Sequence, residues 1–156
     1  MKVRMLTRIA LFSLIIPAVG VSSAKAQSLT FEQARTAMDA AEAEARRNQW
    51  NLTILIVDAD GVPIYLRRMD GASPRTQDVA TRKVQTALAS GMHTGDYGAA
   101  LAAGRTAEVP NGVTFEGGYL VRLGGQIVGA MSASGASGAE DAQVVRAGMA
   151  AIGAQP

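Results

Sequence analysis

In the stretch that ends at about Arg47 the apolar positions Ala34, Ala37, Met38, Ala41 and Ala45 recur at spacings of three and four, which predicts an amphipathic helix. Ser28 or Thr30 can cap it, and Gln33 stands where a capping box after Thr30 needs a side-chain acceptor. The small residues on the stripe predict close packing against a sheet. Leu52 to Val57 is a continuous apolar run too short for a helix. Asp58-Ala59-Asp60-Gly61 then turns the chain into the alternation Val62, Ile64, Leu66, a β-hairpin with one side buried.

Ser73-Pro74 has the order of an N-cap followed by proline at the first helical position, and the helical pattern runs to about Ser90 before Gly91 ends it. Thr94 can cap a shorter helix through Ala103. Gly104 to Gly118 reads as a long loop, and loops of that length in compact domains are usually functional or mobile. A second hairpin follows, with Tyr119, Val121 and Leu123 alternating, Gly124-Gly125 turning and Ile127 to Met131 returning. Ser132 to Gly138 is small and polar. Ser137 can cap a last helix whose apolar face carries Val144, Val145, Gly148, Met149 and Ile152, with Asp141 on that face in the first turn. The order helix, hairpin, helices, hairpin, helix implies an α+β fold, an antiparallel sheet built from two hairpins with helices packed across it. Neither a βαβ period nor a glycine fingerprint after a strand supports a Rossmann fold.

Charge changes the picture only after the first 26 residues are set apart. Lys2, Arg4 and Arg8 precede an apolar stretch from Leu11 to Val21, and Ala24-Lys25-Ala26 offers a small-x-small cleavage site, the layout of an export signal. Residues 1–26 are thus expected to be a signal peptide and 27–156 a single domain, exported to the periplasm or secreted. Cleavage removes four of the 15 basic residues and none of the 13 acidic ones, so 11 face 13 and the formal charge becomes −2. A nucleic-acid partner loses its electrostatic basis, and no membrane attachment is expected after cleavage. With no cysteine, disulfides and thiol chemistry are excluded.

Several separated motifs then fall into register. Val57-Asp58-x-x-Gly61, Arg68-Met69-Asp70-Gly71-Ala72, Ala80-x-x-Lys83-x-x-Thr86-Ala87, Gly129-Ala130, Ser134-Gly135-Ala136 and Asp141 have the order and spacing of the GlcG/HbpS-like, or haem-degrading domain, family, which the chain resembles from about Leu29 to Ile152. The resemblance implies a profilin-like α+β fold, homo-oligomers, and haem binding in some members. Where that family commonly has Ile-Gly-Val before Ser-Gly-Ala, Met131-Ser132-Ala133 stand here.

The leading expectation is an exported haem- or tetrapyrrole-binding module, acting in haem capture, degradation or redox sensing. Arg82 and Lys83 would face acidic groups of the ligand. Arg68 and Asp70 of the 67–72 turn, and Ser134 of the 132–136 segment, would rim the pocket. Lys83, the only lysine beyond the signal, can meet a carboxylate as a point charge or pair with Asp70, Asp78 or Asp141. Asp141 on a buried face needs a partner or a helix N-terminus. Asp70 can bind a ligand or hold its own turn.

His93, the only histidine, is the chemically best axial ligand for haem iron, with Met69, Met92 and Tyr97 weaker candidates. Two further readings are an enzyme or binding protein for a small carboxylated metabolite, with Lys83 orienting the acid and Asp70 or Asp141 as base, and a non-catalytic oligomeric module. One histidine and no cysteine cannot close a zinc site. Asp58-x-Asp60-Gly61 lacks the glutamate that closes a calcium loop, Met69 standing in its place. The serines lack a nucleophile elbow.

Overall fold

The computed structural model describes residues 28–155, so the signal-like segment lies outside the described residues. The elements follow as α1 (Phe31–Arg47), β1 (Thr53–Asp58), β2 (Pro63–Arg68), α2 (Arg75–Ser90), α3 (Thr94–Ala102), β3 (Gly118–Leu123), β4 (Gln126–Ser134) and α4 (Gly138–Ala151). The strands form one antiparallel sheet in the order β2-β1-β4-β3, so the two hairpins join along β1 and β4. α1 and α4 pack together against one face, and α2 lies against the other. This is the α+β arrangement that the order of elements implies, in three layers.

Local chemistry accounts for the helix ends. Thr30 Oγ1 accepts from Gln33 N–H at 3.2 Å while Thr30 N–H donates to Gln33 Oε1 at 3.0 Å, a complete capping box. Ser137 and Glu140 repeat the device on α4. The alanine stripe of α1 meets α4 at Gly148, where a Cβ would stand 2.6 Å from the Ala37 carbonyl oxygen. Glycine there sets how closely the two helices approach.

Five local expectations are corrected. β1 is buried on both faces rather than one, because the two central strands have helices above and below them. In β3, Leu120 is buried as well as Tyr119, Val121 and Leu123, because this edge strand also has α2 on one face and α4 on the other. β4 runs on through Ser134, so part of the small polar segment is central strand. At the start of α2 the Ser73 side chain makes no capping bond, and Ser73 instead offers its carbonyl to Thr76 N–H at 3.0 Å. His93, not Thr94, is the N-cap of α3. The Thr94 hydroxyl is engaged by Gly118 N–H at 3.1 Å. Among the described residues no helix is long and apolar enough to cross a membrane.

Candidate functional site

Lys83 lies on the face of α2 that meets the sheet, between Ala80 and Val84, so the helix carries its side chain into the interior. Its Nζ donates to Asp141 Oδ2 at 2.7 Å and to the Ala133 carbonyl at 2.8 Å. The two side chains are 0% and 3% exposed. Asp141 Oδ1 accepts from Ala136 N–H at 3.1 Å. One ion pair therefore ties α2, the end of β4 and the first turn of α4. Burial pushes the lysine ammonium below its usual range and the aspartate above its own, and their mutual attraction opposes both shifts. Asp141 also gains from the N-terminal end of α4.

The sheet register places Arg68, Thr53 and Ser134 side by side across β2, β1 and β4. Ser134 is buried, and Thr53 Oγ1 lies 2.7 Å from Thr76 Oγ1, a bond between sheet and α2. Ser132 Oγ donates to the Ala80 carbonyl at 2.8 Å. The 132–134 segment is thus hydrogen-bonded strand beneath α2, not an open rim. Arg68 stays exposed and donates from Nη1 to the Ala72 carbonyl at 2.7 Å.

Asp70 is exposed, and its side chain does not hold the turn. Ala72 N–H closes it on the Met69 carbonyl at 3.0 Å, with Gly71 at φ +83°. Arg82 and Lys83 do not act together, because adjacent residues on a helix diverge by about 100°. Arg82 reaches Asp78 at 3.6 Å on the partly exposed side, with its Nε buried and without a hydrogen-bond partner among the described residues.

Of the metal-ligand candidates, Met69, Tyr97 and His93 are engaged elsewhere, and Met92 is half-buried just ahead of α3. Met69 is packed in the larger core with residues of α1 and α4. Tyr97 is buried and its hydroxyl accepts from Val109 N–H at 2.8 Å. His93 accepts from Leu120 N–H through Nδ1 at 3.1 Å, and its ring lies 4.5 Å from that of Tyr119. The neutral ring then carries its proton on Nε2. Iron ligation through Nε2 would move that proton to Nδ1, against the Leu120 N–H. No group of three or more His, Cys, Asp or Glu that could hold a metal ion occurs among the described residues.

The 103–117 loop brings in residues that pattern reading missed. Side chains of the helices hold it as a strap, with Val109 N–H on the Tyr97 hydroxyl, Val113 N–H on Thr86 Oγ1 at 3.0 Å and Gly118 N–H on Thr94 Oγ1. Its end pairs with β4 through Ala133 N–H and the Gly117 carbonyl at 3.0 Å. Phe115 stands with its ring centroid 5.1 Å from Lys83 Nζ, and the Glu116 charge also acts on that ammonium. An aromatic residue in a long glycine-bearing loop was the available signal in the sequence.

Comparison with known proteins then decides the family. The family model described as "Haem degrading protein HbpS-like" matches residues 29–150. The chain belongs to the HbpS-like family. Protein GlcG of Escherichia coli K12 is 36% identical over 108 residues, covering 68% of this chain and 81% of that protein. Among solved structures, a double mutant of HbpS from Streptomyces reticuli is similar at 31% identity and TM-score 0.74, over 90% of this chain and 97% of that one. The PduOC:heme complex is similar at 27% identity and TM-score 0.76, over 83% of this chain and 98% of that one. HbpS-like sequence and fold thus extend over the layers that carry Lys83 and Asp141.

Proposed function

We propose that this HbpS-like protein is an exported haem- or tetrapyrrole-binding module that serves in haem capture or degradation as an assembly of several copies. The observation that carries the reading is the likeness, over 83% of the chain, to a protein solved as a heme complex, together with membership of a family described as haem degrading. The basic, apolar and small-x-small layout of residues 1–26 supports export.

The donors of this chain fit an axial ligand poorly in the described arrangement. Met69 and Tyr97 are buried and engaged, and His93 would have to give up its bond with Leu120. The reading therefore assigns no axial role to Met69, Tyr97 or His93. When bound, haem would supply the redox and oxygen chemistry of its iron, and the protein's part is to bind and shield it.

Titration of the purified protein with haemin tests this. A saturable shift of the Soret band at a fixed haemin-to-chain ratio is expected, and it persists in His93→Ala. Micromolar protein that gives no saturable change contradicts the reading. For export, the amino terminus of protein recovered outside the cytoplasm is expected to begin at Gln27.

A second reading is supported by the Lys83–Asp141 pair itself. A fully buried pair tied to the backbone on both sides is what a structural module needs, whatever ligand it takes. Such a module would keep its assembly and its stability without haem.

A further inference from the structure

An ammonium group has three N–H donors, and Lys83 satisfies two of them on oxygen. Among the described residues no third oxygen accepts from Nζ, and the centroid of the Phe115 ring lies 5.1 Å from it. A ring face attracts a cation through its quadrupole but is a weaker acceptor than oxygen. The interior thus holds a charged group with one donor poorly met, a condition that proteins usually avoid.

Two residues of the strap lie against that ammonium. Backbone closes one side: a Cβ on Gly117 would lie 2.4 Å from Nζ, so the chain there is already in contact. Phe115, whose ring is the neighbour on another side, is 49% exposed, so it reaches from the buried ammonium to the surface. Phe115 sits two residues before the point where Gly117 pairs with β4, on the part of the strap held by side-chain hydroxyls rather than by a strand ladder. Rotation of the Phe115 side chain about its own bonds breaks none of those hydrogen bonds, which are made by the backbone of Val113 and Gly118.

We propose that Phe115 is a removable cover over a binding position at Lys83 Nζ, and that this position takes a neutral carbonyl oxygen of a small molecule. Charge selects the ligand class. Asp141 already balances Lys83 at 2.7 Å, and Glu116 adds negative charge at the rim, so a carboxylate would bring a surplus anion into a site shielded from water. A ketone, aldehyde or amide oxygen meets the spare donor without that cost. The expectation that Lys83 orients a carboxylated ligand is revised accordingly. This position stands apart from haem binding, and neither depends on the other.

Lys83 is the only lysine after residue 25, so its chemistry can be read at one peptide. The full chain is treated with glycolaldehyde or with glyoxylate, two aldehydes of similar size that differ in charge, in the presence of cyanoborohydride. The Lys83 ammonium first loses a proton to solvent, the free amine adds to the carbonyl carbon, water leaves to give an imine, and hydride from cyanoborohydride with a proton from water reduces it to a stable secondary amine. Mass spectrometry reads the alkylated Lys83, and each rate is divided by that of a short lysine-containing reference peptide. Phe115→Ala is expected to raise the glycolaldehyde rate by about tenfold or more, while the urea midpoint stays near that of the wild type and Phe115→Tyr keeps the slow rate. In the Ala variant glycolaldehyde is expected to react several-fold faster than glyoxylate. Equal rates in wild type and Phe115→Ala would show that the ring covers nothing. A normalised preference for glyoxylate would overturn the neutral ligand class. Haemin titration is read separately, so failure of one proposal is distinguishable from failure of the other.

Discussion

Lys83 Nζ lies 2.7 Å from Asp141 Oδ2 across 58 residues of sequence, and both groups are shut away from water. The pair fastens the helix on one face of the sheet to the first turn of a helix on the other. Removing one member leaves the other buried and unpaired, which in proteins typically costs about 3–5 kcal/mol. Asp141→Ala is expected to fall in that range by urea denaturation at neutral pH. It also frees Ala136 N–H, so the loss should sit at the upper end.

His93 makes stability depend on pH with a definite sign. Its Nδ1 accepts a hydrogen bond from Leu120 N–H, which only the neutral ring can do. Burial holds its pKa below the usual value, Arg122 adds to the depression and Asp96 opposes it. A depressed folded pKa means that the unfolded chain binds the proton more readily. The contribution is therefore whole above about pH 6.5 and is lost as pH falls through the lower folded value. His93→Ala is expected to cost about 1 kcal/mol at pH 7.5 and to make stability fall less steeply between pH 7 and 5 than in the wild type. Parallel curves over that interval would contradict this role.

Gly117 has φ +107°, and a Cβ there would meet Lys83 Nζ at 2.4 Å and Asp141 Cβ at 2.7 Å. The strap end can lie on the ion pair only because this residue has no side chain. Gly117→Ala is expected to lower stability by about 2–4 kcal/mol, since it combines backbone strain with overlap at a buried charge. Gly91 is also at positive φ, but a Cβ there would meet no heavy atom within 4 Å, and the same change should lose only about 1 kcal/mol. Thermal melts of the two variants separate overlap from strain.

Arg67 works on the opposite face of the sheet. It donates to Glu42, to Asp39 at 3.1 Å and to the Tyr65 hydroxyl at 2.7 Å, and its guanidinium stands 5.1 Å from the Tyr65 ring centroid. These partners raise its pKa although burial acts the other way. Since Arg67 keeps some exposure, solvent screens part of the gain, and Arg67→Ala is expected to cost about 1–2 kcal/mol. Arg67→Lys should recover less than half, because an ammonium cannot reproduce the planar fork. Urea midpoints at low and moderate salt would show the difference.

What the sequence disclosed and what it concealed divide along a physical line. Caps at Thr30 and Ser137, the turns at Gly61 and Gly124-Gly125, and the buried position of Asp141 follow from neighbours within a few residues, so they were legible. Lys83 was visible as a buried-face cation, but its choice among Asp70, Asp78 and Asp141 depends on how α2 and α4 meet β4. The Arg82-Lys83 pair looked like one basic patch in the sequence. Helix geometry sends one member inward and leaves the other beside Asp78. His93 and Thr94 serve as acceptors for free N–H groups of the edge strand β3, a role set entirely by tertiary placement. Phe115 could not be tied to Lys83 until the strap was seen to cross it.

A double-mutant cycle on Lys83 and Asp141, followed by urea denaturation at neutral pH, tests most directly that this pair exists to hold the layers together. Lys83→Met and Asp141→Leu are each expected to lose about 3–5 kcal/mol. The double variant is expected to be more stable than either single one, because two apolar side chains leave no uncompensated charge. Single variants close to the wild type, or losses that simply add in the double variant, would contradict the account.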